Sequence, residues 1–376
     1  MKVAIVCDWL TNIGGAEKVL LEVHRLYPQA PIYTSKYSKK GIDWFLDADV
    51  RTGWLQIFPV CLRRFLGPLR QRWFSHLDLS GYDLVISVTG AEAKAVKAPD
   101  GIHVSYCHVP TQYYWQMYDE YVENPGFGIL NPLVRVCFKA LVKPLRKADY
   151  KAAQGVNYFV TISGYARDLI KKYYKREATV ICPPVEVDDF KIKTLEKQMK
   201  KGNMVVENPV ENFYVVTSRQ VTWKRLDLAV KACLKLERPL YVIGEGPEHK
   251  RLMKIAGGSS LIRFFPLMKK EELRNYLADA KGYLFPSMEP FGIAPVEALA
   301  AGCPVIAFGD GGALDYIIDG KNGVLFDKQT VKSLVDGIIK FEKMKFNSDF
   351  VVKTADKFSA KRFDDELKGF LNEKTK

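Results

Sequence analysis

The chain has 376 residues, 48% of them hydrophobic, and a formal net charge of +13. That length exceeds one ordinary core and points to two domains, while the composition excludes a disordered or fibrous chain. The positive balance suits a nucleic acid, an anionic membrane surface or an anionic substrate, and solubility alone would also account for it.

Residues 3–7 (VAIVC) read as a strand buried on both faces. The turn Asn12-Ile13-Gly14-Gly15 follows, and then a helix with Val19, Leu20 and Val23 on one side. This is the strand, glycine turn and helix of a parallel α/β sheet. Further strands are predicted at 82–88, 103–109, 157–163 and 179–185, with a helix over Gly164–Tyr174. Residues 191–212 are polar and lysine-rich and read as an interdomain connection. A second α/β series is predicted from strands at 213–219, 240–246, 282–287 and 304–308, with helices between them and a turn at Asp319-Gly320. A final helix places Phe363, Leu367, Phe370 and Leu371 on one face. Two such domains imply a cleft, with ligands outside the carboxyl ends of the strands.

The seven cysteines include no C-x-x-C pair, and several lie in apolar runs. They read as buried reduced thiols of a cytoplasmic protein, not as disulfides or a zinc site. The N-terminus is too short and strand-like for a signal peptide, and no apolar run reaches the roughly 18 residues of a membrane span. The five histidines are scattered without an H-E-x-x-H pattern, so no metal set is expected.

The stretch EPFGIAPVEALAAGCPVIA (289–307) carries two carboxylates, Glu289 and Glu297, around a glycine turn that opens a helix. A helix start offers free N–H groups and a favourable dipole to an anion, and Pro295 suits the first turn. Phosphate plus hydroxyls suggests a nucleotide sugar. The pair could also be the acid and base of a glycosidase, but their place beside an anion pocket favours holding hydroxyls. Arg219, Lys224 and Arg225 follow a predicted strand and can neutralise a diphosphate, although basic loops are usually just solvated. Gly14 and Gly15 permit close backbone approach to a ligand or form a plain tight turn; G-x-G-x-x-G is absent. His108 ends a strand beside Tyr113, Tyr114 and Trp115, which suits a carbohydrate, though a lone histidine is more often structural. The D-x-D run Asp47-Ala48-Asp49 is taken as coincidence.

Two basic apolar stretches, 58–74 and 133–151, could lie on an anionic inner-leaflet membrane surface. The second carries Arg135, Lys139, Lys143, Arg146 and Lys147. A surface helix with snorkelling lysines is the plainer alternative.

Together these motifs resemble the retaining GT-B glycosyltransferases of carbohydrate-active family four, over nearly the full length. EPFGIAPVEALAAGCPVIA resembles its E-x7-E motif and SRQVTWKRLDLAV its arginine–lysine motif. IGEGP, GGALDYIIDGKNGVLF and GGAEKVL match its other landmarks, and YCHVPTQYYW and TVICPPVEVDDF are similar to stretches of bacterial polysaccharide mannosyltransferases. The resemblance implies a GT-B fold, two Rossmann-like domains facing a central cleft. An acceptor domain over 1–190 and a linker over 191–212 would precede a donor domain over 213–345. Residues 346–376 would return to the first domain.

It also implies roles. Arg219 and Lys224 would hold the donor diphosphate, Glu297 the ribose and Glu289 the donor sugar. Glu245 and the backbone of Phe291, Gly292 and Ile293 would line the donor, Gly14 and Gly15 would meet its diphosphate, and His108 would touch the transferred sugar. The implied reaction moves a hexose, mannose from GDP-mannose or a hexose from a similar donor, to a lipid-linked or oligosaccharide acceptor, with no catalytic metal or cofactor and no nucleic acid. A sugar-nucleotide epimerase on the same fold is the alternative. Ser218 stands where many relatives have glycine.

Overall fold

The computed structural model describes residues 1–60, 66–123, 125–126, 128–191 and 212–375. The connection expected at 191–212 therefore falls almost wholly outside the described residues, as do Cys61 and two of the arginines of the first basic stretch, Arg63 and Arg64. The chain divides into two compact units, Met1–Pro184 with Phe363–Lys376, and Val185–Arg362.

In the first unit, the strands are β1 (Val3–Cys7), β2 (Ile32–Thr34), β3 (Val50–Thr52), β4 (Leu84–Thr89), β5 (Ile102–Cys107), β6 (Tyr158–Thr161) and β7 (Ala178–Val180). They pair in parallel in the order β3-β2-β1-β4-β5-β6-β7. Ile5 faces Ile32 on one side and Ile86 on the other. The order reverses direction between β1 and β4, the point at which doubly wound sheets bind ligands. Helix α1 (Gly15–Leu26) buries Val19, Leu20 and Val23 on the sheet. Helices α2 (Gly67–Ser75), α3 (Tyr118–Glu123), α4 (Asn131–Gln154) and α5 (Gly164–Tyr174) complete this half of the chain. Ala4, Val6 and Val85 pack with Phe74 and Leu79, and Cys107 and Phe159 with Ala153, Ile170 and Tyr174.

The second unit begins with α6 (Val187–Phe190) and holds β8 (Tyr214–Thr217), β9 (Leu240–Ile243), β10 (Ile262–Phe265), β11 (Gly282–Phe285), β12 (Val305–Phe308) and β13 (Gly323–Phe326). They too are parallel, in the order β10-β9-β8-β11-β12-β13. Helices α7 (Leu226–Leu236), α8 (His249–Ala256), α9 (Lys270–Asp279), α10 (Ile293–Ala300), α11 (Val331–Glu342) and α12 (Ser348–Ala355) follow the strands. Leu228 and Cys233 of α7 and Leu334 and Ile338 of α11 pack on Val216, Val242 and Ile306. Each such side chain contributes roughly 1.5–3 kcal/mol by leaving water. The last helix, α13 (Ala360–Lys374), buries Phe363, Leu367 and Leu371. Phe363 meets Tyr106 of the first unit edge-on at 5.8 Å.

Four strands, β2, β3, β10 and β13, are missing from the sequence reading. β2 and β3 have only three residues each, too few for a periodic signal. Arg263 interrupts β10, and β13 lies close behind a glycine-rich turn. The expected boundaries also shift. Residues 346–362 stay with the second unit because α12 packs on α10, and the return begins at Phe363. The second unit starts at Val185, whose N–H donates to the Phe358 carbonyl at 2.8 Å. Cys137 is exposed, against the expectation of buried thiols, whereas Cys7, Cys107, Cys233 and Cys303 are buried.

Candidate active site

The second unit places Arg219 and Lys224 after β8, and Glu289, Phe291, Gly292, Ile293 and Glu297 after β11, the two strands of its own reversal point. Strand β8 ends at Thr217, two residues before the expected end, which leaves Ser218 and Arg219 in a loop with Arg219 exposed. A 3-10 turn over Thr222–Lys224 follows. There the Lys224 ammonium pairs with Glu289 Oε1 and lies 4.7 Å from the centre of the Trp223 ring. Both partners are largely shielded from water, at 16% and 14% side-chain exposure, which strengthens their attraction over a surface pair. Ser287 Oγ donates to the same carboxylate oxygen at 2.7 Å.

Arg225, directly after Lys224, has φ +52, a left-handed conformation that costs a non-glycine residue about 1 kcal/mol or more. Such strain at the start of α7 turns the chain sharply between the lysine and the helix.

On the other strand, Gly292 at φ +95 opens α10. A Cβ there would lie 2.7 Å from the Phe285 ring and 2.9 Å from the Tyr316 hydroxyl, so only glycine fits. No side chain caps the helix, leaving the amides around Ile293 to other acceptors. Phe291 is buried and its carbonyl accepts from Tyr316 at 2.8 Å. The turn is held from behind by Gly312, whose N–H donates to the Glu289 carbonyl at 2.8 Å. Glu297 lies in the second turn of α10 and is partly buried. Tyr283 links the two strand ends through its hydroxyl, 3.0 Å from the Thr217 carbonyl. Burial, and then the charges of Glu289 and Glu297, push that hydroxyl above the usual tyrosine range. Glu245 is exposed on the loop after β9, and its carbonyl accepts from the Gln220 N–H at 2.8 Å.

The first unit places Gly14, Gly15 and His108 beyond β1 and β5. Gly14 has φ −162, open to any residue, and a Cβ there would meet only the end of the Glu17 side chain. The fold does not demand glycine at this position. His108 follows β5, its Nε2 lacks a hydrogen-bond partner, and burial pushes its pKa down to about 4. It is a neutral imidazole at pH 7, next to the Tyr106 ring at 5.6 Å.

Sequence reasoning missed the polar network beside them. The Asp8 carboxylate accepts from Thr89 Oγ1 and from the N–H groups of Gly90, Ala91 and Ala93, all within 3.1 Å, and so fixes the loop after β4. That loop carries two buried ion pairs, Arg70–Glu92 at 2.9 Å and Lys94–Asp149 at 2.6 Å. The aromatic run expected to line a carbohydrate pocket serves this network. Tyr113 donates to Glu92 at 2.5 Å, and Trp115 Nε1 to Asp149 at 2.7 Å. Polar residues straight after buried strands were the available signal. Asp49 of the D-x-D run pairs with Arg51 at 2.7 Å on the surface.

Part of α4 and the segment before it lie bare. Ile129 is 95% exposed, Val136 67% and Leu133 63%, in a stripe at helical spacing beside exposed Lys139, Lys143 and Lys147. Two arginines of the stretch are engaged: Arg135 donates to the Val122 carbonyl at 2.9 Å, and Arg146 lies over the Tyr118 ring at 4.7 Å. Among the described residues no helix is long and apolar enough to cross a membrane.

Residues 200–361 match the family model described as glycosyl transferases group 1. An uncharacterized glycosyltransferase of Bacillus subtilis, YqgM, is 27% identical over 225 residues, 57% of this chain and 60% of that one. A GDP-mannose-dependent alpha-(1-6)-phosphatidylinositol monomannoside mannosyltransferase of Mycobacterium tuberculosis is 27% identical over 207 residues, 50% of this chain and 53% of that one. The chain spans about half the length of the curated relatives it matches. The crystal structure of Anabaena HepE in complex with UDP superposes with a TM-score of 0.72 at 17% identity, covering 99% of this chain and 100% of that one. The chain thus has the GT-B fold and resembles the group 1 glycosyltransferases, and these relatives give no support to an epimerase.

Proposed function

We propose that this chain, whose second unit matches the group 1 glycosyl transferases, is a retaining hexosyltransferase. It moves mannose from GDP-mannose to a lipid-linked or saccharide acceptor in the synthesis of a cell-surface polysaccharide. The observation that carries the reading is the shielded Lys224–Glu289 pair at the β8/β11 reversal, with Arg219 exposed on the same loop as Lys224 and an uncapped helix start four residues after Glu289. Cations and helix amides would take the diphosphate, while Glu289 and Glu297 would accept from sugar and ribose hydroxyls. In the step, the bond from the anomeric carbon to the diphosphate oxygen breaks and a bond to the acceptor oxygen forms. The acceptor proton passes to the departing phosphate. Positive charge placed where that phosphate develops its own charge lowers the barrier without any further base. No metal is invoked.

The choice of mannose follows the M. tuberculosis relative, whose name specifies GDP-mannose; HepE was solved with UDP. We place the protein on the cytoplasmic face of an anionic membrane, held by the apolar stripe and lysine row of α4, where a lipid-linked acceptor would be met. The test is turnover with GDP-, UDP-, ADP- and dTDP-sugars, measured as nucleoside diphosphate released in the presence of lipid-linked saccharide. Release confined to GDP-mannose, with an α-linked product, supports the reading. Conversion of a nucleotide sugar to its epimer without acceptor would overturn it.

A further inference from the structure

We propose that Gln220 is a positioning residue that clasps the loop bearing Arg219 and Lys224 to the glycine loop after β9, and so fixes where the two cations stand. This rests on reading that loop as the donor diphosphate site. Gln220 is fully buried although its neighbour Arg219 is exposed. Every polar group it owns is spent on residues 244–249. Its Nε2 donates to the Gly244 carbonyl at 2.6 Å, and its Oε1 lies 2.9 Å from His249 Nδ1. Its N–H donates to the Glu245 carbonyl at 2.8 Å, and its carbonyl accepts from the Glu248 N–H at 3.0 Å. With Nε2 committed to a carbonyl, Oε1 can only accept, which assigns a proton to His249 Nδ1.

The two loops touch through their backbones. A Cβ at Gly246 would lie 2.4 Å from the Gln220 carbonyl oxygen, and one at Gly244 2.3 Å from that of Ser218. Both glycines also have positive φ, +157 and +121. Four residues after Gln220 the chain reaches Lys224 and then the left-handed Arg225. A strained turn keeps its shape only when its surroundings over-determine it, and the clasp is the buried constraint on the loop that leads into this turn. Without the amide, the Gly244 carbonyl loses a buried donor and the loop its link to α8.

The test uses the full chain with Gln220→Leu and His249→Ala. Amide hydrogen exchange over residues 218–225 and the dissociation constants of GDP and UDP are compared with wild type. Gln220→Leu should speed exchange in that loop by about tenfold and weaken whichever nucleoside diphosphate binds by a similar factor. The loss of affinity should appear at temperatures where the variant is still fully folded, which a merely structural role would not predict. His249→Ala removes only the outer bond and should move both readouts less, in the same direction. Wild-type exchange over 218–225, or an unchanged dissociation constant, in a folded Gln220→Leu protein overturns the clasp. Should that variant not fold, unchanged exchange in His249→Ala overturns it. If wild type binds no nucleoside diphosphate, the donor reading fails, and the exchange comparison by itself still decides the clasp.

Discussion

Replacing Asp149 should unfold the first unit far more easily than its position on a surface helix suggests. The side chain is fully buried and takes four donors: Lys94 at 2.6 Å, Thr111 Oγ1 at 2.8 Å, and Trp115 Nε1 and the Tyr174 hydroxyl at 2.7 Å each. Asp149→Leu would leave the Lys94 ammonium, 1% exposed, without its counter-charge. Breaking a buried pair by removing one partner costs about 3–5 kcal/mol. The three neutral donors would each lose an acceptor as well, at about 1–3 kcal/mol if none re-pairs. These losses overlap, so we expect about 4–6 kcal/mol in all, a large part of the stability of an ordinary domain. Urea denaturation followed by tryptophan fluorescence reads the right unit, since five of the six tryptophans (Trp9, Trp44, Trp54, Trp73 and Trp115) precede residue 184. Adding Lys94→Met should restore about 2 kcal/mol by removing the stranded charge. A loss below about 1 kcal/mol for Asp149→Leu, or a double variant no more stable than the single one, would refute the reasoning.

Glu289→Ala and Arg219→Ala should each lower turnover by about 100-fold in a nucleoside diphosphate release assay, and full activity in both variants would remove them from the site. Incubation with EDTA should leave that activity unchanged; restoration by Mg²⁺ or Mn²⁺ after a loss would contradict the metal-free reading. Leu133→Glu with Val136→Glu should abolish sedimentation with phosphatidylglycerol vesicles, and retained binding would move the membrane surface elsewhere. His103, buried and bonded to Ser87 at 2.8 Å, has its pKa lowered to about 4, so the unfolded chain binds its proton first as pH falls. Stability should therefore drop from pH 6.5 to pH 4 by up to about 3 kcal/mol on this account. His103→Gln should flatten the curve, and an unchanged slope would exclude this histidine as its source.

The parts of the fold that could be read in advance share one property: their information lies within a few residues. The buried run before Gly14, the helix over Gly164–Tyr174 and the E-x7-E stretch are local patterns. The candidate site residues after β8 and β11 were visible for the same reason, since polar residues after apolar runs mark strand ends in a parallel sheet. What stayed hidden depends on distant pairing. Asp8 acts on a loop more than eighty residues away, and Lys94 finds its counter-charge on α4, so neither looks unusual in its own segment. Gln220 is equally inconspicuous in sequence, a polar residue in a polar loop. Short strands escaped because sheet neighbours, not propensity, hold three residues extended. The stripe on α4 was legible as composition, but only burial separated the engaged Arg135 and Arg146 from the outward lysines.

The return of α13 to the first unit has a consequence for synthesis. Domains generally fold as they leave the ribosome, N-terminal first. Here the first unit reaches Pro184 without Phe363, Leu367 and Leu371, and stays so while about 180 more residues are made. The nascent first unit is an unfinished body that must wait, with the Tyr106 ring lacking its Phe363 partner, for the final helix. A chain halted at residue 362 should therefore be handled by the cell as unfolded, although it carries every residue assigned to the site.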